Sequence, residues 1–118
     1  MRIAIAALSL LFLTVSAAAA YAHATLAHAS PSVGSTMSAA PHEVILTFTE
    51  SIEAAFSNLT VMDASGTTVS EGKAQVSDNT MRISLKPLNA GLYKVNWRAV
   101  STDTHRIEGS FTFRVDAQ

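Results

Sequence analysis

From Glu43 onward the chain alternates apolar and polar residues in short runs, each closed by a turn signal, and few folds are compatible with that pattern. Leu92 to Ser101 is the clearest run. Tyr93, Val95, Trp97 and Ala99 point one way, and Lys94, Asn96 and Arg98 point the other, which is the period of a half-buried strand. Gly109 to Val115 repeats it, with Phe111, Phe113 and Val115 against Ser110, Thr112 and Arg114. Met81, Ile83 and Leu85 alternate with Arg82 and Ser84, and Val44, Leu46 and Phe48 share one face of Glu43 to Thr49. Leu59 to Asp63 reads as a strand stopped by the turn cluster Asp63-Ala-Ser-Gly66. Thr67 to Val69 and Ala74 to Val76 are weaker candidates, and Ser77 to Thr80 reads as a turn. Thr49 to Asn58 reads as a loop or a single helical turn, and Pro31 to Pro41, rich in Ser, Gly and Pro, as a loop. Short strands at this spacing predict an all-β antiparallel sandwich or barrel.

The first 22 residues stand apart. Met1-Arg2 is a short basic start, Ile3 to Ala20 is almost wholly apolar, and Ala20-Tyr21-Ala22 is a small-x-small sequence. This is the pattern of a secretory signal peptide cleaved after Ala22. Ile3 to Ala20 is also about the length of a membrane span. Against that, Ser9, Thr14 and Ser16 interrupt it, and no basic stop-transfer cluster follows. The expected organisation is a signal peptide over 1–22 and one small domain over 23–118.

Arg2 is the leader's one basic residue, so seven basic residues then face nine acidic ones, a net charge of −2. No basic stripe suggests a nucleic-acid partner. The chain has no cysteine, so its core must hold it without disulfides. Any transition-metal site must use His, carboxylate, Met or backbone groups.

Cleavage after Ala22 would make His23 the first residue, offering its α-amine and its imidazole to one metal ion. Far downstream, Asp103-Thr104-His105 presents a carboxylate and an imidazole at i and i+2, which share a side on an extended segment. Three nitrogens and one oxygen suit tetragonal Cu(II); Ni(II) and Zn(II) would also be accepted, but the Irving–Williams order favours Cu(II). An isolated Asp-x-His is also common as a turn beside a solvated histidine. His28 stands five residues after His23, an odd spacing that puts it on the opposite face of an opening strand. His42 reads as solvated, Trp97 as core, and Arg98 as either close to the site or in solvent.

Longer stretches resemble a known family. Ala90-Gly-Leu-Tyr-Lys-Val-Asn-Trp-Arg-Ala-Val-Ser-Thr-Asp-Thr-His105 and Ile107-Glu-Gly-Ser-Phe-Thr-Phe-Arg-Val115 are similar to the signature of the CopC copper-resistance family. His23-Ala-Thr-Leu26, Ser30-Pro31 and Thr47-Phe-Thr-Glu50 resemble that family's opening and first core strand. The resemblance implies a Greek-key β-sandwich, Ig-like or cupredoxin-like, located in the periplasm. It implies one Cu(II) per chain, held by His23, Asp103 and His105, with Glu50 behind the ligands. Glu50 reads equally as a solvated strand-end residue. The resemblance further implies a role in copper tolerance, with copper passing to an inner-membrane partner of the CopD type.

Some members carry a second, Cu(I) site in a loop dense in Met and His. The corresponding loop here, Met62 to Lys73, has one Met and no His, so no Cu(I) site is expected. Met62 and Met81 read as strand packing and Met37 as loop surface. A copper-dependent oxygenase with an N-terminal His is the alternative from another class. Asp103 as a ligand would fill a position that oxygen needs, and the chain has few aromatic residues to stack on sugars. A structural sandwich with incidental metal binding is the third alternative. The expected chain is a binding protein and not an enzyme.

Metal binding by an amine and imidazoles displaces their protons. Copper affinity is therefore expected to fall as pH drops through about 6.5, where imidazole ordinarily titrates. An affinity that stayed level between pH 8 and 5 in competition titrations would exclude imidazole ligands.

Overall fold

The computed structural model describes residues 26–117. The leader, the cleavage position and His23 lie outside the described residues. Eight strands form: β1 (Leu26–Ser30), β2 (Thr36–Met37), β3 (Glu43–Phe48), β4 (Asn58–Asp63), β5 (Ser70–Ser77), β6 (Thr80–Leu85), β7 (Gly91–Val100) and β8 (Arg106–Val115). They make two four-stranded sheets, ordered β1-β3-β6-β5 and β2-β8-β7-β4. The chain crosses from one sheet to the other four times before the β5–β6 hairpin and a fifth time before the β7–β8 hairpin, the connectivity of a Greek-key-type sandwich.

The alternation read from the sequence is the alternation of burial. Val44, Leu46 and Phe48 of β3 and Met81, Ile83 and Leu85 of β6 line the inside of one sheet. Leu59 and Val61 of β4, Tyr93, Val95 and Ala99 of β7, and Phe111, Phe113 and Val115 of β8 line the other. Within the second set Tyr93 stacks on Phe113 with ring centroids 5.5 Å apart. The Tyr93 hydroxyl donates to the Asn89 carbonyl at 2.6 Å, so the one polar atom of this buried ring is satisfied. Thr49 to Asn58 holds one short 3-10 turn, Ala54–Phe56, as the sequence allowed.

Several details differ from the sequence reading. Residues 31–41 contain β2, which pairs in parallel with β8 (Thr36 with Arg114, Met37 with Val115). Met37 is consequently half-buried against the core and is not loop surface. The weak segment around Ala74 belongs to a continuous strand over 70–77. Its alternation was obscured by an irregularity between Glu71 and Gln75, where Gly72 takes φ +71°. A second register shift, between Leu26 and His28, breaks the parity count across β1. His28 is exposed, but the odd spacing from His23 does not establish its face. Asp63 behaves as read: its carboxylate accepts from the Ser65 hydroxyl and from the backbone N–H groups of Ser65 and Thr67. The Ser65 hydroxyl leads in holding that carboxyl below the usual range.

Gly109 faces Trp97 across the β7–β8 pair, and a Cβ there would lie 2.5 Å from two atoms of the indole ring. Gly109→Ala is expected to destabilise by about 1–3 kcal/mol through overpacking. In thermal unfolding this lowers Tm by roughly 4–8 °C for each kcal/mol in a domain of this size. Trp97→Leu should remove most of that penalty, because the two changes share one contact.

Candidate metal centre

The site lies at the turn that joins the two longest strands. After the last ladder pair, Val100 with Arg106, the Ser101 N–H donates to the His105 carbonyl at 2.8 Å. Three residues remain to reverse the chain, Thr102 to Thr104. The Thr104 N–H donates back to the Ser101 carbonyl at 2.8 Å, and Thr104 takes φ +73°. This is the three-residue hairpin geometry, a turn followed by a left-handed residue. A β-branched residue is poorly suited to that region, so Thr104 holds local strain beside the candidate ligands.

The turn explains why Asp103 and His105 meet. The segment is not extended, so the i, i+2 strand argument does not supply the reason. Chain reversal brings His105 Nδ1 to 3.1 Å from Asp103 Oδ1. Ser101, buried at the base, organises both. Its hydroxyl donates to the Asp103 carboxylate and accepts the His105 N–H at 3.0 Å. The Ser101 hydroxyl is the main cause of a lowered Asp103 pKa; partial desolvation opposes it, and His105 adds to the lowering.

Glu50 arrives from the other sheet. The chain leaving β3 is tied to the turn by Thr102 N–H to Ser51 carbonyl at 3.0 Å, by the Ile52–Ser101 bridge, and by Glu53 N–H to Val100 carbonyl at 2.7 Å. Ligand atoms of Glu50, Asp103 and His105 consequently lie within 4.8 Å of one another, and all three side chains are exposed. Two carboxylates and an imidazole at that separation can converge on one cation. The sequence reading named these three but missed Ser101; a serine two residues before the Asp was its only sequence signal. Arg98 is exposed and lines a groove beside the turn together with Thr104. His42 is exposed and outside the cluster.

A two-sheet sandwich with an exposed carboxylate–imidazole cluster beside its longest hairpin has the layout of a small metal-binding module, and comparison with known proteins shows which metal its family handles. The CopC domain model matches residues 26–116. Copper resistance protein C of Pseudomonas syringae pv. tomato is 43% identical over 107 residues, covering 83% of this chain and 84% of that protein. The crystal structure of CopC from Methylosinus trichosporium OB3b superposes with a TM-score of 0.74 at 31% identity, covering 80% of this chain and 94% of that one. The copper transport protein CutJ of Bacillus subtilis is 31% identical over 110 residues, which is 90% of this chain but 20% of CutJ. The chain belongs to the CopC family, whose members are copper-binding, copper-resistance proteins and not enzymes. The oxygenase alternative is thereby set aside, and copper is the ion this protein handles.

Because the Asp103 pKa is lowered in the fold, its contacts favour the folded chain above the ordinary carboxylate range. That contribution is lost as pH falls through the lowered value. In Ser101→Ala the Asp103 carboxyl should titrate at higher pH than in the parent protein, as read by carboxyl carbon NMR. An unchanged titration would show that the hydroxyl does not govern this carboxylate.

Proposed function

We propose that this protein is a periplasmic carrier or buffer of one Cu(II), exported by a signal peptide over 1–22 and bound to copper through His23, Asp103 and His105. The proximity of Glu50, Asp103 and His105 carries the reading. The register of β1 supports it. Leu26 pairs antiparallel with Phe48, so the chain enters β1 at the end where β3 leaves for Glu50. His23 stands three residues before Leu26, a reach of about 10 Å of extended chain. Its amine and imidazole with the His105 imidazole and the Asp103 carboxylate make the nitrogen-rich set that suits tetragonal Cu(II). Glu50 acts behind them, adding negative charge and orienting the ligands. Outer groups of this kind typically alter metal affinity 10–100-fold.

A thioether Cu(I) site is not part of the proposal. Met37 and Met62 lie on strands at opposite edges of one sheet, and Met81 is fully buried on the other. CutJ, a named copper transport protein, contains a matching region as one fifth of its length. That arrangement supports an inner-membrane copper transporter of the CopD type as the separate partner here.

The test is an EPR spectrum of the protein beginning at His23 with one equivalent of Cu(II). A single tetragonal signal with nitrogen-rich parameters is expected. Blocking the α-amine, Asp103→Ala and His105→Ala should each weaken binding by more than the 10–100-fold typical of an outer group, and Glu50→Gln should fall within that range. A heterogeneous signal indifferent to these changes would overturn the assignment.

A further inference from the structure

We propose that the groove beside the Asp103–His105 turn is a binding site for a small polycarboxylate. The groove has a volume of about 560 Å³, within the range of small-molecule sites. Lys73 of β5, Arg98 of β7 and Arg106 of β8 line it, so three of the seven basic residues in 26–117 converge there, although nine acids give that region a negative balance. None of the three forms an ion pair among the described residues; the side-chain pairs found there are Arg82 with Glu43 and His105 with Asp103. Acidic neighbours exist: Glu108 is opposite Arg98 in the ladder, Glu71 is two residues from Lys73, and Glu53 precedes the 3-10 turn. None of them neutralises the groove by direct pairing.

The rest of the lining suits a carboxylate on a short carbon skeleton. Ala54, Phe56 and Val100 supply apolar wall, with Phe56 65% exposed at the rim. Two guanidinium groups offer planar forks that match carboxylates, and the Lys73 ammonium adds a third positive charge. This combination of a bounded volume, three cations and an apolar wall fits a di- or tricarboxylate better than a single inorganic anion. Thr104 lines the groove and separates Asp103 from His105 in the chain. A polycarboxylate seated there lies next to the metal cluster, so copper can arrive as, or leave to, an anionic carboxylate chelate. That consequence rests on the copper site proposed above, whereas the binding itself does not.

The experiment is a 15N NMR titration of the metal-free protein beginning at His23, at low ionic strength, with citrate, acetate, sulfate and a hexaglutamate peptide as probes. Saturable shifts are expected at Phe56, Arg98, Thr104 and Arg106, with citrate binding about tenfold or more tighter than acetate. Arg98→Gln with Arg106→Gln should weaken citrate by about tenfold or more while keeping the parent Tm and the one-equivalent Cu(II) EPR signal. Citrate, acetate and sulfate shifts of equal size would mean an adventitious ion only and overturn the proposal. Tighter binding of hexaglutamate would also overturn it, marking a surface for an acidic protein segment. Lost EPR signal in the parent protein with groove shifts intact would instead refute the copper site.

Discussion

The pairing of β7 with β8 is the interaction on which the site and much of the core depend. Ten consecutive residue pairs run from Gly91 with Val115 to Val100 with Arg106. Inward residues of both strands furnish the large side chains of one sheet, among them Tyr93, Val95, Phe111 and Phe113. A ladder of that length fixes where the chain must turn, and the three-residue reversal at its end has little conformational choice. The candidate ligands Asp103 and His105 stand on that reversal, so the rigidity of the hairpin becomes the rigidity of the site.

Ser101 connects the packed interior to the exposed chemistry. It is buried, bridges to Ile52 in the segment leaving β3, and gives its hydroxyl to the Asp103 carboxylate. One small polar residue thereby joins the two sheets at this end of the sandwich and holds a candidate ligand's carboxyl below its ordinary titration range. Thr104, held in a left-handed conformation, adds local strain at the same place. Without cysteine the domain rests on its apolar core; the polar atoms of Tyr93 and Ser101 beside it are paired, whereas the Trp97 indole N–H has no partner among the described residues.

The strands with clean alternation, β3, β6, β7 and β8, were legible because each buries one face and solvates the other. β2 and β5 were not. Two residues pairing in parallel leave no periodic signal at Thr36–Met37, and the irregularity after Glu71 shifts the phase of β5. The bulge after Leu26 similarly defeats parity counting from His23 to His28. Asp103 and His105 were legible as a pair, although the reason is a turn and not an extended strand.

The sequence by itself determined the all-β class, the lack of thiolate chemistry, the carboxylate–imidazole pair and the family to which the chain belongs. These follow from residue type and short-range spacing, which need no knowledge of distant contacts. Only the tertiary structure decided that Glu50 joins Asp103 and His105, that Ser101 holds them, and that Lys73, Arg98 and Arg106 line one groove. Those residues come from strands of both sheets and from the connections at their ends, and strand order, which brings them together, is set by packing and pairing across the whole domain.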